Sequence, residues 1–273
     1  MNINYNEKGQ LNEILNNNKI INNEWYTISL LAKYCAILKI DMEDALNFIE
    51  DKLRTIIPNY SSLTYRNTIK KFLKTFLKRD DVILSDVKKI RIYKDEVAFI
   101  EKNVPKENYQ KVAFTYLCYR KIRNAAYNKQ DTILPIKDKS EDIFKVASMT
   151  ETGIKAKKIL HKLVQDNVLK TMGFYTNEKG ELKINLTDTR LDVCNYIKFD
   201  GEAAFEVESE DFEKLGLVWL LYKGNKKIKR CEKCNTLLQV KGKERTKYCK
   251  TCAKKVNIEK TILNQKKWDT LIC

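Results

Sequence analysis

The chain has 273 residues, of which 43% are hydrophobic, and its 52 Lys or Arg against 36 Asp or Glu give a formal charge of +16. That hydrophobic fraction supports buried cores and excludes wholesale disorder, and the length allows two domains or more. The basic balance, with a pI near 9.3, favours an acidic polymer as partner, whereas the lysines accompany no Trp- or Phe-rich amphipathic helix of the kind that binds a membrane surface.

Residues 1–23 are Asn-rich and read as a flexible lead-in or a marginal helix. A helical domain is expected over 24–130. Thr27 or Ser29 is placed to cap a segment through Leu38. Asp41 caps Met42 to Ile56, where Ala45, Leu46, Phe48, Ile49 and Leu53 supply the apolar side. After Pro58, Ser61 or Ser62 opens a helix in which Tyr65, Ile69, Phe72, Leu73, Phe76 and Leu77 recur at helical spacing. Lys70, Lys71, Lys74 and Lys78 form its solvated face. An extended piece, Ile90 to Tyr93, precedes a helix from Asp95 to Lys102. Pro105 suits the first turn of another helix, running to about Asn128. That helix mixes Tyr109, Phe114, Tyr116, Tyr119 and Tyr127 with Lys111, Arg120, Lys121 and Arg123. Such a mixture can stack single-stranded bases, but aromatics at helical spacing are preferred as core. The polar stretch Gln130 to Asp142, with Pro135, marks a domain boundary.

Residues 143–199 have the layout of a winged helix-turn-helix. Ile143 to Ala147 forms a supporting helix, Ser148 to Gly153 the turn, and Ile154 to Asn167 a second helix. Two β-like runs follow, Val168 to Thr176 and Leu182 to Leu186, around the hairpin-turn residues Asn177 to Gly180. At 100° per residue, Ala156, Ile159, Leu160, Leu163 and Val164 share one half of the second helix. Lys155, Lys157, Lys158, His161 and Lys162 share the other, the arrangement of a recognition helix with an apolar seat and a basic outer side. Ile154 falls on the basic side and has no role in this scheme. Residues 200–222 connect onward. Their acids are read as suiting the dipole of a helix capped by Ser209, whose Phe212, Leu215, Val218, Trp219 and Tyr222 face a core.

Residues 223–273 carry 16 Lys or Arg against 4 Asp or Glu, a formal +12. Within them Cys231-Glu-Lys-Cys234 is followed, after 14 residues, by Cys249-Lys-Thr-Cys252. Two C-x-x-C pairs at this spacing point to a structural zinc site with four thiolates and no open coordination position. A thiol-redox role for either pair is the lesser reading, because no βαβ context surrounds it. Thr236 to Val240 reads as a strand, Lys241 to Lys243 as a turn, Arg245 to Tyr248 as a return, and Ala253 to Trp268 as a helix. The order suggests a treble clef or zinc ribbon. Zinc with four thiolates carries a charge of about −2. Lys229, Arg230, Lys233, Lys247 and Lys250 are therefore candidates for countercharge. Lys241, Lys243, Arg245, Lys254 and Lys255 are candidates for phosphate contact, alongside Lys155, Lys157, Lys158 and Lys162. The other Cys, Cys35, Cys118, Cys194 and Cys273, lie apart in sequence and suit a reducing compartment.

The text from Arg230 through Val240, and from Thr246 to Lys260, resembles the C-terminal four-Cys zinc module of uncharacterised phage and prophage proteins of low-GC bacteria. In these a mainly helical part precedes a winged-helix-like region. The resemblance is carried by Cys231, Cys234, Cys249, Cys252 and the basic helix from Ala253. It implies a mobile-element setting and no established activity.

The expected fold is thus mainly α with some β: a helical domain, a winged helix and a zinc module. The chain lacks a P-loop and the H-E-x-x-H and H-x-E…P-C-x-x-C signatures, and His161 is its one His. A non-enzymatic nucleic-acid-binding protein is therefore expected, with DNA favoured over RNA and a role in replication or transcription regulation. The alternative is an anti-defence protein, such as a CRISPR or other nuclease inhibitor, that binds a host or phage protein or a guide RNA. The polar start MNINYNEKGQ and the short apolar run Leu215 to Tyr222 lead to a cytoplasmic location with no membrane partner.

Overall fold

The computed structural model describes residues 4–128, 140–171, 174–176, 182–184, 191–193, 201–240 and 246–272. The chain is mainly helical and divides into two compact units, residues 3–88 with 122–132 and residues 89–121 with 133–273.

In the first unit, α1 (Glu7–Asn17), α2 (Glu24–Ile37), α3 (Met42–Ile56) and α4 (Ser62–Phe76) enclose one core. Asp41 caps α3 as its sequence predicts, accepting the Glu43 and Asp44 N–H groups at 2.8 and 3.1 Å. Ala45, Leu46, Ile49 and Leu53 are buried on its inner side, meeting Ile69 and Leu73 of α4. The start of α2 differs from expectation. Asn23 is the cap, accepting from the Tyr26 N–H at 2.8 Å, and Thr27 lies buried inside the helix. The Thr27 hydroxyl donates to the Asn23 carbonyl and accepts from the Ile21 N–H, so it secures the preceding turn. The Asn-rich lead-in forms α1, because Leu11 and Ile14 are buried and Glu7 is tied down at its start. Lys33 reaches both Glu7 oxygens at 2.7 and 2.9 Å, and Glu7 also accepts the Ser85 N–H. Lys70, Lys71, Lys74 and Lys78 are exposed.

The second unit opens with β1 (Lys89–Tyr93), which pairs antiparallel with β6 (Ala203–Glu208) from Lys89↔Glu208 to Ile92↔Phe205. Glu206, in the acidic stretch expected to precede a helix, therefore sits on a strand, 2.6 Å from Lys89 and 3.1 Å from Arg91. A 3-10 turn, Ser209–Lys214, leads into α9 (Leu215–Tyr222). Ser209 is not its cap; the helical turn begins at Ser209 itself, after Glu208.

Next after β1 come α5 (Lys94–Asn103) and α6 (Glu107–Ala126). Glu96, which is buried, accepts the Tyr93 N–H at 2.8 Å and pairs with Lys121, whose side chain is 9% exposed, at 2.6 Å. The Lys121 ammonium also sits over the Tyr93 ring. Phe114, Tyr116 and Tyr119 of α6 are core residues, and Phe114 lies 5.0 Å from Trp219 by ring centroids. Cys35 and Cys118 are buried, each in its own unit, and burial pushes both thiols up.

Then α7 (Ser140–Val146) and α8 (Gly153–Gln165) follow. Ile143, Phe144 and Ala147 are buried, as are Leu160 and Leu163 of the neighbouring α8. After α8, β2 (Leu169–Thr171) pairs with β5 (Leu191–Val193), and β3 (Phe174–Thr176) with β4 (Leu182–Ile184), all antiparallel. Gly216 of α9 packs against the end of α7, where an added Cβ would fall 1.9 Å from the Ala147 carbonyl oxygen. The unit closes with β7 (Ile228–Arg230), β8 (Leu237–Gln239) and α10 (Lys250–Ile272).

Candidate metal centre and basic surfaces

Strands β7 and β8 pair antiparallel, Ile228 with Gln239 and Arg230 with Leu237. The first Cys pair occupies the turn between them. The Cys231 N–H donates to the Thr236 carbonyl at 2.9 Å, and the Asn235 N–H donates to the Cys231 carbonyl at 2.8 Å. Asn235 has φ of 56°, a left-handed conformation that Asn tolerates better than most residues. The strand expected at 236–240 is thus present as β8, with β7 on the far side of the knuckle as its partner. The second pair lies at the start of α10, where Cys249 precedes the helix and Cys252 sits in its first turn. The Glu232 N–H donates to the Lys247 carbonyl at 3.0 Å and joins the two loops.

All four sulfurs lie within 4.8 Å of one another. A tetrahedral thiolate set with bonds of about 2.3 Å has edges of about 3.8 Å. Cys234 and Cys249 are 3.8 Å apart, sulfur to sulfur. The backbone supplies N–H donors to the sulfurs: Cys249 to Cys231 and Cys252 to Cys249, each at 3.3 Å. For Cys231 burial acts upward, but N–H groups of Cys249, Cys234 and Lys233 outweigh it and bring the thiol down to about 6. Cys252 moves the other way, to about 12, through its sulfur neighbour Cys249 and burial. This donor set fits a metal ion that prefers thiolates.

Three of the five cations expected as countercharge to the sulfurs also pair with carboxylates. Lys233 pairs with Glu259 of α10, Lys247 lies 3.5 Å from Glu232, and Arg230 lies 2.6 Å from Asp211. Arg230 also donates to the Asn235 carbonyl at 3.0 Å. Asp211 is buried, so this contact anchors the knuckle to the 3-10 turn. Nothing in the spacing of Asp211 and Arg230 marks them as partners.

On α8, Ala156, Ile159, Leu160, Leu163 and Val164 are buried, whereas Lys155, Lys157, Lys158, His161 and Lys162 are exposed. Lys162 pairs with Asp166 at 2.6 Å. Ile154 joins this cationic side with 74% of its surface exposed. Lys254 and Lys255 are exposed on α10, near the exposed Ile258 and Ile262. Lys241, Lys243 and Arg245 lie outside the described residues, as do Cys194 and Cys273. No helix among the described residues is long and apolar enough to cross a membrane. No protein-family model, curated protein or solved structure matches the chain.

Proposed function

We propose that this chain is a non-enzymatic nucleic-acid-binding protein, with duplex DNA as its principal ligand, in which zinc holds the C-terminal module. The observation that carries the reading is α8. Its apolar half is buried and its outer half presents Lys155, Lys157, Lys158 and Lys162 to solvent. The helix follows α7 across a short turn and precedes the β3–β4 hairpin, the order of a winged helix-turn-helix. The Cys cluster, with one pair in a hairpin turn and the other at a helix start, suits a treble clef. Zinc is the natural occupant of four thiolates with a 3.8 Å edge, and its role there is structural. Lys254 and Lys255 on α10 are further exposed cations. With the sequence resemblance, this reading sets the protein in a phage or mobile element, acting in replication or transcription regulation.

The test is titration of the full chain with duplex DNA, single strands and RNA at several salt concentrations. Neutralised phosphates release counterions, so affinity is expected to fall steeply as salt rises. Salt-indifferent binding, or none to duplex DNA, refutes the reading.

Ile258 and Ile262, exposed among the lysines of α10, favour a second reading. In it the chain is an anti-defence inhibitor that meets a protein or a guide RNA. A stoichiometric partner retained from host lysate after nuclease treatment selects that reading.

A further inference from the structure

Ile154 is the second residue of α8, and a 74% exposed isoleucine amid lysines calls for a physical account. At 100° per residue, Ile154, Lys158, His161 and Gln165 fall within a sector of about 60°. All four are exposed. Lys157 flanks this stripe on one side, and Lys155 and Lys162 flank it on the other. The helix itself carries no acid, and Asp166, which caps its C-terminal end, is paired with Lys162. Glu151 stands before the helix and accepts the Thr150 N–H. The face therefore has an apolar point near its N-terminal end and cations along both margins.

We infer that Ile154 reads the C5-methyl group of thymine in the major groove of duplex DNA, while Lys155 and Lys157 contact the bordering phosphates. This rests on the DNA-binding reading above and adds a base to it. The phosphate rows bordering the groove complement the lysines. Within the groove the thymine methyl is the one apolar group that a base pair presents, and aliphatic side chains meet it directly. Recognition helices contact base edges with their N-terminal residues, where Ile154 lies. RNA offers neither feature, since uracil lacks the methyl and the A-form major groove is too narrow for side chains.

The experiment uses the full chain. A random duplex pool is selected for bound sequences, and each thymine of the preferred duplex is then replaced by deoxyuridine, which removes only the methyl. The wild type is expected to lose about fourfold in affinity at one or two positions, the value of one buried methyl-sized group. Ile154→Ala should show no loss at those positions, with the salt slope and thermal midpoint of the wild type. Lys157→Ala should instead lower the salt slope and keep the methyl response. The inference is overturned if selection yields no preferred duplex, if deoxyuridine is bound as well as thymine throughout, or if Ile154→Ala keeps the methyl response. In each of those cases salt-dependent duplex binding leaves the DNA-binding reading standing. Absence of duplex binding overturns both.

Discussion

Arg230 and Asp211 form a fork. One guanidinium nitrogen lies 2.6 Å from an Asp211 oxygen, and another donates to the Asn235 carbonyl at 3.0 Å. The first contact reaches the buried turn before α9, and the second holds the knuckle that carries Cys231 and Cys234. Arg suits this geometry because its guanidinium presents several donors in one plane. Replacing Arg230 with Ala leaves the Asp211 carboxylate buried without this partner. The expected cost is about 2–4 kcal/mol, near the low end of a broken buried pair because Arg230 is partly exposed. Arg230→Lys should restore only part of it. Denaturant unfolding of the three proteins measures this, and equal midpoints would refute the anchoring role.

The four-Cys cluster should hold one zinc per chain. Cys231→Ser or Cys252→Ser should lower the zinc content of protein purified under reducing conditions and unfold the C-terminal module. The first unit has its own core and should keep its helices. Elemental analysis with far-UV circular dichroism checks both halves, and a metal-free wild type of full helicity contradicts the assignment.

Gly216 is required by close approach. A Cβ there would fall 1.9 Å from the Ala147 carbonyl oxygen, whereas one at Gly201 would lie 3.3 Å from its nearest neighbour, Asp95 Oδ2. Gly216→Ala must therefore push α9 off the end of α7, at a cost of about 1–3 kcal/mol or more. Gly201→Ala should be nearly neutral. Parallel urea titrations give the comparison.

Glu96 and Lys121 form a largely buried ion pair. Burial pushes the Glu96 carboxyl upward, and Lys121 pulls it back without cancelling the rise. Lys121→Met removes that pull, so the carboxyl should rise further and the protein lose about 3–5 kcal/mol at neutral pH. A raised carboxyl pKa makes its contribution to stability greatest below its unfolded value and lost as pH rises through the folded value. The deficit of the variant should accordingly shrink as the pH falls and Glu96 takes up a proton. Glu96→Met with Lys121→Met should recover much of the loss. A deficit constant from pH 4 to 8 would show that the effect is packing alone.

On α8, changing Lys155, Lys158 and Lys162 together to Ala should leave stability within about 0.5 kcal/mol per site. Affinity for duplex DNA should fall and the salt dependence flatten. Unchanged binding by the triple variant would place the DNA contacts elsewhere.

Much of this protein is legible in single stretches of sequence. Asp41 with the apolar spacing behind it specifies α3, because a cap and a 3.6-residue period are local signals. The four Cys announce their cluster through tight-turn spacing, and the two halves of α8 separate by periodicity alone. The tertiary structure decided what depends on distant partners. β1 meets β6 through residues such as Arg91 and Glu206, 115 positions apart. The alternating run Ala203–Glu208 reads as an acidic approach to a helix until its partner strand is known. Thr27 looks like a cap, but the turn before α2 buries it and Asn23 takes that role. Asn-rich residues with weak intrinsic helicity become α1 because Leu11 and Ile14 find a core and Glu7 finds Lys33. Lys233 and Arg230, beside the Cys pairs, look like countercharge for sulfur, and the fold also gives them carboxylate partners, Glu259 of α10 and Asp211 of the turn before α9. Local hydrogen bonding and side-chain period are written in neighbouring residues, whereas strand partners and ion pairs are chosen by chain closure and burial, which no short window of sequence contains.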